Sequence, residues 1–275
     1  NTITGKIVGG SDKDTFTFNK GTYDLDLDGG AGSNNIVYNY SNSKDTVSLT
    51  EANDAYVLKT DNDTGIRFTK IQKGELNLKA GDDVVTVNIQ KVADLSLTIN
   101  LEAGSDTFSS LNNYNGSITG GANSDTINLS TSSFAINVDA GSGTDKLFVN
   151  NRTENTTTTL AQGKDTKFTI AVTQNALISV DKLEELTLNL AAANNDVFVN
   201  SLDNTNLDQI DVKLTAGGVD ALVVRGKVDT DDTVTLTDDA DSTDINVSDR
   251  YTISIFGAVR ANGDTLRIDL ENSNN

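Results

Sequence analysis

Apolar and polar residues alternate along this chain at a spacing of two, in short runs that recur about every twenty residues. Leu25/Leu27, Leu76/Leu78, Leu97/Ile99/Leu101, Ile136/Val138, Leu186/Leu188/Leu190 and Val212/Leu214 each make such a run. A second set follows a glycine turn and an aspartate, with apolar residues two and four positions on. Gly81-Asp82-Asp83 leads to Val85 and Val87, and Gly104-Ser105-Asp106 leads to Phe108. The segment Gly120 to Asp125 leads to Ile127 and Leu129, and Gly141 to Asp145 leads to Leu147 and Val149. Period-two alternation predicts strands with one buried face. No segment of useful length carries a helical apolar period.

The aspartates at 83, 106, 125 and 145 step by 23, 19 and 20 residues. Asp14, Asp45, Asp196, Asp220 and Asp264 precede the same apolar pattern, and Asp232 fits it without its glycine. Each repeat therefore reads as strand, tight turn, strand and return segment. A unit of that size cannot bury its own apolar face, so it must stack on its neighbours. The fold class expected is all-β: a right-handed parallel β-helix, or β-solenoid, with coils of about 20 residues. At roughly 4.8 Å between strands, about a dozen coils would span near 60 Å. Residues 50–70 and 150–180 break the rhythm and read as irregular or inserted segments. Alternation resumes on both sides of each, so residues 1–275 are expected to form a single domain.

Composition narrows the function. The 275 residues carry 21 Lys+Arg against 40 Asp+Glu, a net charge of −19, which disfavours nucleic acid and anionic lipid. There is no Cys, so disulfide and thiol chemistry are out, and no Met, which predicts a processed or excised piece. No apolar run reaches membrane-spanning length. There is no His, and the six arginines (67, 152, 225, 250, 260 and 267) are scattered. That is a poor basis for a lyase or epimerase, which needs acid, base and cationic groups converging on a uronate. The absence of Trp removes the usual sugar-stacking platform.

The glycine–aspartate turns resemble the haemolysin-type calcium-binding nonapeptide, G-G-x-G-x-D-x-U-x, of RTX proteins. The nearest copies start at Gly29 (Gly-Gly-Ala-Gly-Ser-Asn-Asn-Ile), Gly120 (Gly-Gly-Ala-Asn-Ser-Asp-Thr-Ile) and Ala140 (Ala-Gly-Ser-Gly-Thr-Asp-Lys-Leu). None is perfect: Asn34 stands in place of the Asp in the first, and Asn123 and Ala140 replace glycines. The resemblance covers the turns alone, and it implies Ca²⁺ held by carboxylate and backbone oxygens. The metal-ligating candidates are Asp14, Asn34, Asp82, Asp83, Asp106, Asp125, Asp145 and Asp220, with Asp229, Asp231 and Asp232 in a separate acidic cluster. Asp and Asn also serve turns without any metal, because their side chains bond nearby backbone.

With its acidic, Asn/Thr-rich, Cys-free composition, the chain is similar to β-helical segments of bacterial S-layer proteins and large secreted adhesins. The function expected is non-catalytic: a secreted, calcium-stabilised structural protein of the cell surface. Its expected partners are calcium ions, copies of itself in a surface lattice, or a cell-surface glycan. The alternatives are a polysaccharide-acting β-helix enzyme (lyase, epimerase or glycosidase) and a glycan- or ice-binding module.

Overall fold

The computed structural model describes residues 1–61, 64–90, 95–130, 135–150, 156–173, 177–191, 194–200, 202, 205–213, 219–225, 234–238, 243–247, 251–256 and 265–269. Every regular element among them is a strand and none is a helix. The chain divides into two compact units, Asn1–Asn128 with Phe134–Gly143, and Leu129–Ser133 with Thr144–Asn275.

The first unit holds β1 (Thr2–Val8), β2 (Thr15–Asn19), β3 (Thr22–Asp28), β4 (Asn35–Asn39), β5 (Thr46–Ala52), β6 (Ala55–Thr60) and β7 (Gly65–Thr69). It continues with β8 (Lys73–Asn77), β9 (Val84–Asn88), β10 (Ser96–Ala103), β11 (Thr107–Ser110), β12 (Gly116–Ala122), the start of β13 (Thr126–Ser130), and β14 (Ile136–Ser142). Within the unit one sheet runs β1-β3-β7-β6-β5-β9-β11-β13 and the other β2-β4-β8-β10-β12-β14. In the second sheet the pairings β2-β4, β4-β8, β8-β10, β10-β12 and β12-β14 are all parallel. Because the pairing is in register, side chains of one type form straight files. Phe18, Tyr38, Leu76, Ile99, Ile118 and Val138 lie opposite one another in turn, and all are buried. In the first sheet Val47, Val85 and Phe108 make a similar file. Burying each of these side chains contributes about 1.5–3 kcal/mol, so the files carry much of the stability.

The second unit repeats the scheme. Its strands are β15 (Lys146–Asn150), β16 (Thr157–Gln162), β17 (Phe168–Val172), β18 (Leu177–Asp181), β19 (Glu185–Asn189) and β20 (Asp196–Val199). They are followed by β21 (Gln209–Lys213), β22 (Ala221–Arg225), β23 (Val234–Asp238), β24 (Thr243–Val247), β25 (Tyr251–Phe256) and β26 (Thr265–Asp269). One sheet runs β15-β19-β21-β25-β24-β23 and the other β18-β17-β16-β20-β22-β26.

The two stretches where the sequence loses its rhythm are antiparallel meanders within otherwise parallel sheets. In one, β5, β6 and β7 pair antiparallel in sequence, while β7 lies parallel to β3 and β5 parallel to β9. In the other, β16, β17 and β18 do the same beside β20. A third meander, β23-β24-β25, lies where the sequence shows only acidic clusters. A meander joins neighbouring strands by short hairpins and needs no return segment. That is why alternation persists through these stretches while the glycine–aspartate spacing fails.

Asparagines at the strand ends form a ladder of their own. Asn39 Nδ2 donates to Asn19 Oδ1 at 3.2 Å, Asn77 Nδ2 to Asn39 Oδ1 at 3.1 Å, and Asn100 Nδ2 to Asn77 Oδ1 at 2.7 Å. Each amide both donates and accepts, so an in-register stack satisfies it at nearly every rung.

The turn glycines are set by close backbone approach between successive repeats. A Cβ at Gly104 would run into the Gly81 carbonyl oxygen, and one at Gly121 into that of Glu102. Both glycines also have positive φ, 145° and 112°. We expect Gly104→Ala to cost about 3 kcal/mol or more, through overlap and backbone strain. Gly10→Ala, whose Cβ would meet only Asp14 Oδ2 at 3.9 Å, should change stability by less than about 0.5 kcal/mol. Urea unfolding of the two variants checks the contrast, and equal losses would show that the close approach is not what selects glycine.

Candidate functional site

The predicted corner residues sit where a turn enters a strand, and their side chains point into the protein. Asn34, Asp83, Asp106, Asp125 and Asp145 are at most 1 % exposed. They join successive repeats by one recurring bond, in which a corner's backbone N–H donates to the side-chain oxygen of the corresponding corner in the neighbouring repeat. Asp45 N bonds Asp83 Oδ1 at 2.6 Å, Asp83 N bonds Asp106 Oδ1 at 2.7 Å, and Asp106 N bonds Asp125 Oδ1 at 2.9 Å. A second file links Asp14 N to Asn34 Oδ1 at 2.9 Å and Asn34 N to Gln72 Oε1 at 2.7 Å. In the second unit Asp145 N bonds Glu184 Oε2 at 2.9 Å, and Asn195 N bonds Asp220 Oδ1 at 2.7 Å. A main-chain bond accompanies each link, as when Thr107 N donates to Asp83 O at 2.8 Å and Thr126 N to Asp106 O at 2.9 Å.

Three of the eleven predicted ligands, Asp229, Asp231 and Asp232, lie outside the described residues. Asp14, Asn34, Asp83, Asp106, Asp125, Asp145 and Asp220 all take corner positions. Asp82 does not: it is exposed beside the corner and accepts a bond from Ser105 N at 3.0 Å. Asp45, placed in the repeat by its sequence but not among the predicted ligands, also takes a corner, and sequence reasoning left out Gln72, Glu184 and Asn195, which occupy equivalent corners. Their signal was present, since Leu76, Leu186 and Val197 follow at the expected offsets of two or four. A search for aspartate hid it, because the position requires a side-chain oxygen and accepts carboxylate or amide alike.

The rungs differ in how their second side-chain atom is used. At the asparagines it is a donor: Asn34 Nδ2 bonds Ala31 O at 3.0 Å and Asn195 Nδ2 bonds Ala191 O at 2.9 Å. At Asp14 it accepts from Gly10 N at 2.7 Å. Asp45 receives Ser41 N at 3.2 Å and the ammonium of Lys20, which also reaches Asp61 Oδ2 at 2.6 Å. At Asp83 and Asp106 the Oδ2 atoms are buried without a hydrogen bond. Burial, first of all, pushes the Asp83 carboxyl up to about 7, and repulsion from Asp106 adds to it. The same cause raises Asp106 to about 6, with repulsion from Asp82 adding to it, although the bond from Asp83 N opposes the rise. Glu184 is also raised by burial. The half-buried Asp28 and the exposed Asp61 are lowered, by a bond from Gly30 N and by Lys20 respectively.

These corners offer oxygens to a hard cation, and the Oδ2 atoms of Asp83 and Asp106 are buried without a hydrogen bond. Among the described residues no three acidic side chains converge into a cage. The turn glycines, expected to turn carbonyls toward a metal, instead set backbone against backbone. No protein-family model matches the sequence, and no curated protein matches it.

A carboxyl whose folded pKa is raised weakens the fold most where it is ionised. For Asp83 and Asp106 that penalty is complete above about pH 7. It fades as pH falls toward the ordinary carboxylate range near 4. The lowered Asp28 and Asp61 lose their contribution only below that range. Thermal melting should therefore rise between pH 8 and pH 5. Asp83→Asn should raise Tm at pH 8, by about 2–4 °C per kcal/mol recovered, and have little effect at pH 5. Asp83→Ala, which strips the acceptor from Asp45 N–H, should be about 1–3 kcal/mol less stable than Asp83→Asn at either pH. Equal stability of the Asn and Ala variants would dismiss the rung as a structural bond.

Proposed function

We propose that this chain is a non-catalytic structural protein of the extracellular surface: a calcium-stabilised, right-handed parallel β-solenoid of about 20-residue coils, forming part of a surface layer or adhesin. The observation that carries the reading is the corner ladder. Its hydrogen-bonded partners are 19, 20 and 23 residues apart at Asp106–Asp125, Asp14–Asn34 and Asp83–Asp106. The most distinctive polar residues of the chain are spent joining one repeat to the next, and the buried files do the same with apolar surface. A molecule of this kind serves a lattice or a stalk. Its partners are other copies in that lattice or a cell-surface glycan.

Calcium fits this setting through charge. When bound, the ion supplies positive charge that offsets carboxylates brought together by folding. Asp83 and Asp106, whose Oδ2 atoms have no hydrogen bond, would hold the ion. A proton does the same work at the same atoms, so the two compete.

Calorimetry tests the reading. At pH 8, several millimolar calcium should raise Tm over the value in chelator, and 100 times Kd corresponds to about 2.7 kcal/mol. The calcium response should shrink at pH 5 and in the Asp83→Asn/Asp106→Asn double variant. Superimposable curves in calcium and chelator at pH 8 would remove calcium from the proposal. Turnover of alginate, pectin or another uronate polymer by the purified chain would overturn the non-catalytic assignment.

A further inference from the structure

A lysine and two aspartates meet within the first unit. Lys20 follows β2, Asp45 is the corner that precedes β5, and Asp61 follows β6. Lys20 Nζ touches Asp45 Oδ1 and reaches Asp61 Oδ2 at 2.6 Å. The Asp45 side chain is fully buried, while those of Lys20 and Asp61 are 33 % and 43 % exposed. In the Lys70–Asp28, Lys146–Glu185 and Arg67–Asp26 pairs the carboxylate is 29, 35 and 64 % exposed, so those are surface ion pairs and this one is not.

Each group is held in place. Lys20 N donates to Asn39 O at 2.8 Å, and Asp45 N to Asp83 Oδ1 at 2.6 Å. Asp61 is clamped on Thr46. Its N–H donates to Thr46 O at 2.8 Å and its Oδ1 accepts from Thr46 N at 3.0 Å, which leaves Oδ2 for Lys20. The two oxygens of Asp45 are used differently. Oδ1 meets the ammonium, while Oδ2 accepts from Ser41 N at 3.2 Å and from Ser41 Oγ at 3.1 Å. An amine therefore lies against one oxygen of a buried carboxyl, two donors hold the other oxygen, and a second carboxylate shares the amine.

We propose that Lys20 and Asp45 join in an intramolecular isopeptide bond, with Asp61 carrying the proton. Asp61, whose carboxyl Lys20 holds below the usual range, is ionised and takes a proton from the Lys20 ammonium. Nζ then bonds Asp45 Cγ, and the negative charge that builds on Oδ2 is met by Ser41 N–H and Oγ–H. The Cγ–Oδ1 bond breaks. Oδ1 leaves as water with the proton returned by Asp61 and a second proton from Nζ. One ammonium and one carboxylate give one amide and one water, with no outside reagent. Between separate molecules in water this exchange is unfavourable, but orienting the two groups together replaces their concentrations by an effective molarity of up to about 10⁵–10⁸ M. The amide also takes a charge out of a buried site, where a charge is costly. Its surroundings suit it: Oδ2 becomes the carbonyl that faces Ser41, and the new N–H points at Asp61 Oδ2. The bond ties the turn after β2 to the corner before β5 in a chain that has no Cys for a disulfide. It stands apart from calcium and from the surface assignment.

The test weighs the full folded chain by mass spectrometry under denaturing conditions. The chain is expected to be lighter than its sequence by one water, with a fragment in which Lys20 is joined to Asp45. Lys20→Arg, which keeps the ion pair, and Asp45→Ala should both restore the sequence mass. Asp61→Asn retains both reacting groups and should slow the loss of water by about 100-fold or more, followed as a time course in freshly synthesised chain. Circular dichroism checks that each variant is folded. An unchanged mass in the folded wild-type chain would overturn the proposal. So would a water loss that persists in Lys20→Arg, which would belong to an aspartyl succinimide, or a cross-link from Lys20 to Asp61 instead of Asp45.

Discussion

Everything in this molecule depends on how a turn satisfies its backbone when it is covered by the next turn. A strand end inside a stack cannot turn its N–H to water, and a buried unpaired amide costs about 1–3 kcal/mol. The solution adopted at Asp45, Asp83 and Asp106 is to borrow a side-chain oxygen from the following repeat. The bond demands that successive corners coincide, so it holds the repeats in register. With register held, the interior becomes straight files of like side chains, and the strand-end asparagines fall into reach of each other. Glycine is required beside the corner because the backbones of adjacent repeats come too close for a Cβ.

That arrangement uses one carboxylate oxygen and leaves a second to be accommodated in a low-dielectric interior. The molecule meets the difficulty in several ways. Asn34, Gln72 and Asn195 provide the acceptor without charge. Asp45 is offset by Lys20. Asp83 and Asp106 are left with a buried oxygen and no partner, and their carboxyls rise to about 7 and 6. Charge is thus incidental to the rung itself and decisive for its response to protons.

Much of the architecture was legible from residue order. Alternation at Leu97, Ile99 and Leu101 and the recurrence of Asp83, Asp106 and Asp125 are local facts, and a strand with one apolar face has few ways to bury it. The absence of helix among the described residues, the predominance of parallel pairing and the shared sheet of Val85 and Phe108 follow from them. So does the inward position of the corner residues, two places before an apolar strand residue. The antiparallel meanders at β5–β7 and β16–β18 were legible only as a loss of rhythm, because a hairpin and a crossing between sheets both join alternating strands.

The sequence by itself determined which positions face inward, because side-chain direction along a strand has a period of two whatever the strand pairs with. It also determined where turns fall, because glycine and the short polar residues tolerate conformations that others do not. Only the tertiary structure decided what the corner residues do. Whether an aspartate oxygen meets an amide, a lysine or nothing depends on residues 19 to 39 positions away, brought alongside by stacking. Gln72 and Glu184 share the task with Asp83 although their side chains differ in length and charge, because the stack selects an oxygen at a place in space. Burial likewise belongs to the fold: it distinguishes the unpartnered Asp83 from its exposed neighbour Asp82, two identical residues in a row whose environments differ completely.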